Sequence, residues 1–257
     1  MNTFSMSTEY SNIVADLLSV SHEFGHRGLV ILGEGNVSAR LDESTFLVKA
    51  SGSSLDTLTE ENLTECRFDQ LLPLLDSKPV SDTEIEAALL ESRVDSSALK
   101  PSVETFFHAF LLSLPDVQFV GHTHPIPVNQ ILCSSHARAF SRHRQCPDEV
   151  VCCGPVSLLI PYEDPGLTLA RKIRDELAAF QVRNGKLPRV ILLENHGLIT
   201  LGPSVQAVRA AMLMTVKAAE IYLGAQLLGG VRYLPDAEVA RIESRQDEEY
   251  RRKILRI

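Results

Sequence analysis

The segment VGHTHP, from Val120 to Pro125, closes an apolar run that begins at Val117. Alternate side chains of an extended strand share one face, so His122 and His124 are predicted to point the same way, close enough to bind one ion. Proline ends the strand because its nitrogen carries no hydrogen for a neighbouring strand. The pair therefore lies at a strand end, where α/β proteins commonly place their chemistry. Taken alone, it fits half of a metal site and two surface histidines beside a turn equally well.

Two more candidate ligands come from other predicted elements. Val190–Leu193 predicts a buried strand, and His196 follows at its end. Ser102 is placed to cap an apolar helix with Glu104 in its first turn, where the helix dipole favours an ionised carboxylate. Three imidazoles and one carboxylate suit Zn2+ or another first-row divalent ion such as Mn2+, Co2+ or Fe2+. A carboxylate that can leave the metal is then able to move protons.

Composition narrows the function classes. The 257 residues are 44% hydrophobic, which is enough for one large domain or two small ones. A formal net charge of -8 argues against general binding to nucleic acids or anionic membranes, because both need a basic surface. No apolar stretch approaches bilayer length, and Met1–Ser21 lacks the character of a signal peptide, so a cytoplasmic location is predicted. The cysteines are odd in number and form no CxxC pair, which argues against a disulfide framework or a thiolate zinc cluster.

Short elements dominate the N-terminal part. The helical spacing of apolar residues predicts a helix over Ser7–His26. Short β-prone runs separated by glycine-containing turns predict strands at Leu29–Leu32, before Arg40 and over Thr45–Val48. The glycine-containing loops between and after them expose backbone amides that can bind an anion, although tight turns explain them as well.

Three stretches of the C-terminal half have distinct character. Ser135–Arg144 is locally basic, which suits an anionic substrate group, a neighbouring subunit or a solvated loop. Val150–Ile160 is apolar with a central Gly-Pro and predicts two short strands joined by a turn. The region from Asp236 alternates in charge and predicts a helical tail with little to bury on its own chain, so we expect it to contact a partner.

Five ordered motifs resemble those of the class II aldolase/adducin family, which is typified by the fuculose-phosphate and rhamnulose-phosphate aldolases. The resemblance runs from the first predicted helix to the long predicted helix after Ser204 and covers most of the chain. The motifs are GNVS at Gly35–Ser38, SG at Ser51–Gly52, PSVE at Pro101–Glu104, HTH at His122–His124 and NHG at Asn195–Gly197.

The resemblance implies a role for each matching residue. His122, His124 and His196 are expected to bind zinc. Glu104 is expected to be a further ligand in the resting site and the acid/base during turnover. The residues expected to line the phosphate of the substrate are Asn36, Ser51, Gly52 and Ser102.

The resemblance also implies a fold and an activity. The expected fold is a three-layer α/β/α sandwich around a mostly antiparallel, mixed sheet, as a single domain over residues 1–257 with a charged helical tail at about 236–257. Family members form cyclic tetramers with sites between subunits, so a homotetramer is expected. The expected activity is that of a metal-dependent aldolase, a carbon–carbon lyase that acts on a sugar or sugar-phosphate hydroxyketone through a metal-stabilised enediolate.

Two positions depart from the aldolase pattern. Val103 stands where the family has a second phosphate-binding serine, and an apolar side chain cannot replace that hydrogen bond. Pro147–Glu149 stands where the aldolases carry the tyrosine that protonates the leaving aldehyde. Tyr250 lies in a C-terminal context like that of the aldolases' second tyrosine and is the candidate for this acid.

Two other functions compete with the aldolase. An epimerase or dehydratase acting on a related sugar phosphate would use the same metal site, but the family's epimerases usually carry aspartate where this chain has Glu104. A non-catalytic binding domain like the adducin heads is the other alternative. Those heads are expected to lack the metal histidines, whereas His122, His124 and His196 are all present here.

Overall fold

A computed structural model of the chain describes residues 3–77 and 80–257, whose strands form a mixed sheet. The strands are β1 (Asn36–Arg40), β2 (Thr45–Lys49), β3 (Leu63–Arg67), β4 (Phe119–Thr123), β5 (Leu158–Ile160), β6 (Val190–Leu193) and β7 (Gly197–Gly202). The helices are α1 (Thr3–His26), α2 (Phe68–Asp76), α3 (Asp82–Glu91), α4 (Thr105–Leu112), α5 (Ile126–Leu132), α6 (Ala137–Arg142), α7 (Pro147–Cys153), α8 (Leu167–Asn184), α9 (Val205–Leu227), α10 (Asp236–Glu243) and α11 (Gln246–Leu255). Across the described residues, no helix combines the length and apolar character that crossing a bilayer requires.

The structure comprises two compact units. The first extends to Val120 and includes Glu163–Arg174, and the second consists of Gly121–Tyr162 and Asp175–Ile257. The single domain that we expect over residues 1–257 stays a prediction.

In the first unit the strands follow the order β3-β2-β1-β4. β2 pairs antiparallel with both of its neighbours, so that Val48 lies opposite Ser38 on one side and Thr64 on the other. Helix α4 packs against β1 and β2 and buries Phe107 completely. This packing brings Asn36, the first residue of β1, beside the beginning of α4.

In the second unit the strands follow the order β4-β7-β6-β5. β6 pairs antiparallel with β7 and parallel with β5, so Leu193 lies opposite both Gly197 and Ile160. Helices α5 and α9 pack against β7 and against each other. Only Glu194–His196 joins β6 to β7, so the chain reverses in a tight turn at this end of the strands.

The predicted α/β sandwich with a mixed, mostly antiparallel sheet is confirmed. Helix α1 covers the predicted helix over Ser7–His26, and β1 and β2 lie where short strands are predicted. The long late helix begins after Ser204, whose hydroxyl accepts a hydrogen bond from the backbone amide of Ala207.

The strand predicted at Leu29–Leu32 is wrong. The segment forms turns, and Leu32 has a φ of 57°, in the left-handed region that strands do not use. Leu29 and Val30 are buried all the same, so their apolar character reflects packing and not strand formation.

The two strands predicted over Val150–Ile160 are half wrong, because the first half belongs to helix α7. Pro147 occupies the first turn, Asp148 and Glu149 follow it, and Gly154 ends the helix with a φ of 78°. These are helix start and stop signals, and they outweigh the β-prone valines. β3 and α2 were not predicted at all.

The tail is helical as predicted, but α10 contradicts the expectation that it has little to bury on its own chain. Val239 and Ile242 of α10 pack against Val150 and Val151 of α7. Helix α11 has no buried residue. Of the two tail helices α11 is the more exposed, and it contacts its own chain through the ion pair between Arg251 and Asp148 of α7.

Arg144, the last residue of the basic stretch, forms a buried ion pair with Glu149 of α7. Arg144 and Glu149 are both almost completely buried, with 3.7 Å between a guanidinium nitrogen and a carboxylate oxygen. The guanidinium also donates to the carbonyl of Gly154 and the hydroxyl of Ser157, at 2.7 and 2.9 Å. Burial raises the pKa of the Glu149 carboxyl, and the charge of Arg144 counteracts the rise. Arg144 is thus a structural residue that fastens α7 to β5.

We predict that Glu149→Gln lowers the free energy of unfolding by about 3 kcal/mol, because it leaves the Arg144 charge buried without a counter-charge. Denaturant unfolding measures this. The matched control is Glu249→Gln, which breaks the exposed pair with Lys253 and should change the stability by less than about 0.5 kcal/mol. Equal effects of the two substitutions would contradict a structural role for the buried pair.

Candidate metal centre

Three histidine rings converge at one end of the strands of the second unit. The ring centroids of His122 and His124 are 4.7 Å apart. The ring centroid of His196 lies 4.9 Å from that of His122 and 5.0 Å from that of His124. One ring nitrogen from each histidine lies within 4.8 Å of the other two. The strand-end pair predicted from the sequence is therefore joined by the third predicted histidine.

The proton on His122 is fixed by a backbone carbonyl. Its Nδ1 lies 3.0 Å from the carbonyl oxygen of Leu198, which can only accept, so Nδ1 carries the hydrogen. The Nε2 lone pair is then directed at the Nε2 of His124, 2.9 Å away. A backbone carbonyl that holds one ring nitrogen while the other faces a metal is a recurring arrangement in metal sites.

Gly197 makes room for this convergence. A Cβ atom at this position would lie 2.5 Å from the carbonyl oxygen of Thr123 and 2.7 Å from the ring of His124. Any side chain here would therefore push the β6–β7 turn away from the end of β4. Within the turn, Asn195 has a φ of 55°, and the side-chain amide of Asn129 donates to the carbonyl of His196 at 2.9 Å.

The three imidazoles fit a divalent first-row ion. Histidine nitrogens suit zinc, copper, iron and nickel, and three histidine ligands leave a position for a further ligand or a substrate. Two neutral rings with facing Nε2 atoms must otherwise share a single hydrogen across the 2.9 Å gap. A bound cation would satisfy both lone pairs.

Glu104 lies in the first unit, at the N-cap position of α4. The side-chain amino group of Asn36 donates to its Oε2 at 2.7 Å, and the hydroxyl of Ser102 accepts from its backbone amide at 3.1 Å. One helical turn later, His108 contacts the Oδ1 of Asn36 through Nε2 and the hydroxyl of Ser38 through Nδ1. A polar chain thus runs from the buried Ser38 to the half-buried Glu104.

Lys49 holds the two glycine-containing loops of the first unit together. Its ammonium donates to the carbonyls of Gly33 and Ser53, at 3.1 and 2.5 Å. Burial lowers its pKa to about 8, while the charge of Glu104 acts in the opposite direction. Gly52 has a φ of 78°, which favours glycine. The backbone at Ser51–Gly52 is therefore held close to the loop that leads into Asn36.

The other predicted site residues have different surroundings. Ser51 donates its backbone amide to the carbonyl of Lys100 at 2.9 Å, and Val103 is 42% exposed. Tyr250 is 67% exposed on α11. The structure thus groups the histidines in one unit and Asn36, Ser102 and Glu104 in the other, and Tyr250 belongs to neither cluster.

Sequence reasoning assigned no role to Ser38, Lys49 or His108. A spacing signal exists for two of them. Asn36 and Ser38 are two apart on a strand, and Glu104 and His108 are four apart on a helix, so each pair shares a face. Nothing in the sequence says that the two faces meet.

The basic stretch contributes to a separate cavity in the second unit. Arg138 and Arg142 line a space of about 720 Å³ beside β5, together with Arg183 of α8. Both residues of the stretch are exposed, unlike Arg144. The interpretation as a site for an anionic group and the interpretation as a solvated surface both remain compatible with this placement.

The chain is similar to known proteins over most of its length. The family model described as "Class II Aldolase and Adducin N-terminal domain" matches residues 15–223. The chain is 28% identical over 231 residues to the 3-oxo-tetronate 4-phosphate decarboxylase of Haemophilus influenzae, covering 89% of this chain and 95% of that protein. It is 29% identical over 222 residues to the uncharacterized oxidoreductase YuxG of Bacillus subtilis, covering 81% of this chain but only 30% of that protein.

A solved structure supports the same assignment. The N-terminal class II aldolase domain of a conserved protein from Thermoplasma acidophilum is similar to this chain with a TM-score of 0.67 and 26% identity, covering 82% of this chain and 93% of that one. The family match, the fold and the converging histidines agree. The chain therefore belongs to the class II aldolase and adducin N-terminal domain family.

Proposed function

We propose that the chain is a divalent-metal-dependent carbon–carbon lyase that acts on a sugar or sugar-like hydroxyketone carrying an anionic group. The observation that carries the proposal is the convergence of His122, His124 and His196 with one ring nitrogen each in reach of a shared ion. A non-catalytic domain would have no need to keep three buried or half-buried histidines at one strand end.

The metal ligands follow from the ring geometry and from the family resemblance. The three imidazoles would hold the ion, with zinc as the first candidate and Mn2+, Co2+ or Fe2+ as alternatives. The motif resemblance supports Glu104 as a further ligand in the resting enzyme. When bound, the ion supplies a Lewis acid that polarises the carbonyl and hydroxyl oxygens of the substrate.

Glu104 is proposed as the acid and base. In aldol cleavage a hydroxyl proton leaves, the adjacent carbon–carbon bond breaks, and the other carbon takes up a proton. In the cleavage direction Tyr250 would take the hydroxyl proton, and Glu104 would deliver a proton to the carbon. The hydrogen bond from Asn36 stabilises the ionised form of Glu104, which is the form that removes the carbon-bound proton in the reverse, bond-forming direction.

The anionic end of the substrate is proposed to bind in the first unit. The resemblance assigns Asn36, Ser51, Gly52 and Ser102 to it, and the amino group of Asn36 and the hydroxyls of Ser51 and Ser102 are side-chain donors suited to an anion. The Lys49 ammonium adds positive charge behind the same loops. Val103 contributes no hydrogen bond, so the donor set is smaller than that of the sugar-phosphate aldolases.

Decarboxylation is the second candidate reaction, because the chain matches a decarboxylase over 95% of that protein's length. Loss of CO2 from a 3-oxo acid leaves the same kind of electron-rich carbon beside a carbonyl, and that carbon again takes up a proton. The site would need the same Lewis acid and the same proton donor. The two reactions differ only in the fragment that leaves.

The remaining expectations stand as parts of the proposal. Tyr250 is proposed as the acid that serves the leaving aldehyde, the assembly is proposed to be a homotetramer, and the location is proposed to be the cytoplasm. The exposure of Tyr250 on a helix with no buried residue is what a residue acting on a neighbouring subunit would show.

We predict that the metal-loaded chain converts one member of a panel of ketose phosphates and 3-oxo hydroxy acids, offered with and without phosphate. An aldehyde product identifies aldol cleavage, and CO2 identifies decarboxylation, because each is the fragment that leaves. Product analysis by mass spectrometry distinguishes both from a diastereomer or a dehydrated ketone. Either of the last two products, without an aldehyde or CO2, would replace the lyase by an epimerase or a dehydratase.

We predict that Glu104→Gln lowers kcat by about 100-fold or more, because the amide cannot exchange a proton with the substrate. Steady-state kinetics on the substrate found above measure the change. Glu61→Gln, on the exposed 3-10 turn at Glu60–Asn62, serves as the control and should leave kcat unchanged. A Glu104→Gln enzyme with the kcat of the unsubstituted chain would remove Glu104 from the proton transfers.

A further inference from the structure

We propose that Ser38 and His108 are positioning residues that lock the side-chain amide of Asn36, so that its amino group, and never its oxygen, faces Glu104. The proposal rests on the proposed function, because it concerns how the acid/base is oriented.

The contacts form one continuous chain inside the first unit. Asn36 Nδ2 lies 2.7 Å from Glu104 Oε2, Asn36 Oδ1 contacts His108 Nε2, and His108 Nδ1 lies 2.6 Å from the hydroxyl oxygen of Ser38. His108 and Ser38 are completely buried, and Asn36 is 3% exposed. Water therefore cannot replace Ser38 or His108, whereas Glu104, at the other end of the chain, is half-buried.

The hydrogen positions follow from chemistry. An ionised carboxylate can only accept, so the group of Asn36 that faces Glu104 must be the amino group. The oxygen of Asn36 then faces His108, which must carry a hydrogen on Nε2. In a neutral ring Nδ1 is then a lone pair, and the hydroxyl of Ser38 must donate to it. The position of each hydrogen therefore determines the position of the next, from Glu104 to Ser38.

The reverse orientation of the amide is excluded while Glu104 is ionised. Turning the amide of Asn36 over would place its oxygen against the carboxylate and its amino group against the Nε2 hydrogen of His108. Two acceptors would then face each other at Glu104 and two donors at His108, and the contact at His108 is closed to water. The imidazole is thus an anchor for the amide, and Ser38 is an anchor for the imidazole.

Backbone geometry explains why these four residues meet. Asn36 and Ser38 project from the same face of β1, and Glu104 and His108 lie one helical turn apart at the beginning of α4. The amide of Asn36 falls between the two side chains of the helix. The His108 ring is further fixed by stacking on Phe107, with 4.5 Å between ring centroids.

The locked amide has a consequence for the substrate. An asparagine amino group has two hydrogens, and one of them is committed to Glu104. The second keeps donor character in the region where we propose that an anionic group binds. A turned amide would instead present an oxygen to that anion and repel it.

Neutron diffraction from crystals of the deuterated full chain tests the inference without any substrate. We expect deuterium on Nε2 of His108, none on Nδ1, and the amino group of Asn36 towards Glu104. Deuterium on Nδ1 instead, or the oxygen of Asn36 towards Glu104, would overturn the inference. Because this measurement does not use activity, it stands even if the lyase proposed above proves to be wrong.

A pair of substitutions supplies the kinetic test. His108→Gln can still donate to Asn36, whereas His108→Leu cannot, so we expect kcat to fall about tenfold more in the leucine variant than in the glutamine variant. Ser38→Ala removes only the donor to Nδ1, and Ser113→Ala, exposed at the end of α4, is its matched control. Rates are normalised to the folded fraction. Equal kcat values for His108→Leu and His108→Gln would overturn the positioning role.

Discussion

The candidate site depends on the close approach of a turn to a strand end. His122 and His124 are directed by β4, and His196 by the turn that joins β6 to β7. The three rings meet only because nothing projects from Gly197, where a Cβ would lie 2.5 Å from the backbone of β4. The glycine of the NHG motif is therefore a steric requirement of the histidine cluster. Its role is to let two chain segments touch.

The second constraint is the direction of hydrogen bonds in each unit. In the second unit the carbonyl of Leu198 holds the hydrogen of His122 on Nδ1, which leaves a lone pair at Nε2. In the first unit the side-chain amino group of Asn36 donates a hydrogen bond to the carboxylate of Glu104. The first arrangement leaves a nitrogen lone pair that can coordinate a metal, and the second stabilises an ionised carboxylate. Both are fixed by groups buried away from water, so both are present before any ligand binds.

The sequence alone identifies candidate site residues where the residue type and its local spacing indicate a function. Two histidines at strand spacing, a third beside a glycine and a glutamate at a helix start all have local signals, and the structure brings the three histidines together. Predictions from the sequence are wrong where tertiary packing or helix-end residues determine the secondary structure. Leu29–Leu32 is apolar because it is buried, not because it is a strand, and α7 is a helix because Pro147 and Gly154 set its ends. The contact between Asn36 and His108 joins residues far apart in the chain, and no local pattern encodes it.

Metal content is the most direct test of the central claim, that the three histidines form a divalent metal site. The full chain, purified without chelator and dialysed with Zn2+, should retain about one ion per chain by elemental analysis. His124→Ala and His196→Ala should each abolish stoichiometric retention, whereas His143→Ala should not, because the His143 ring lies beside Tyr233, outside the histidine cluster. Absence of metal from the unsubstituted chain, or full retention by His124→Ala and His196→Ala, would contradict the account.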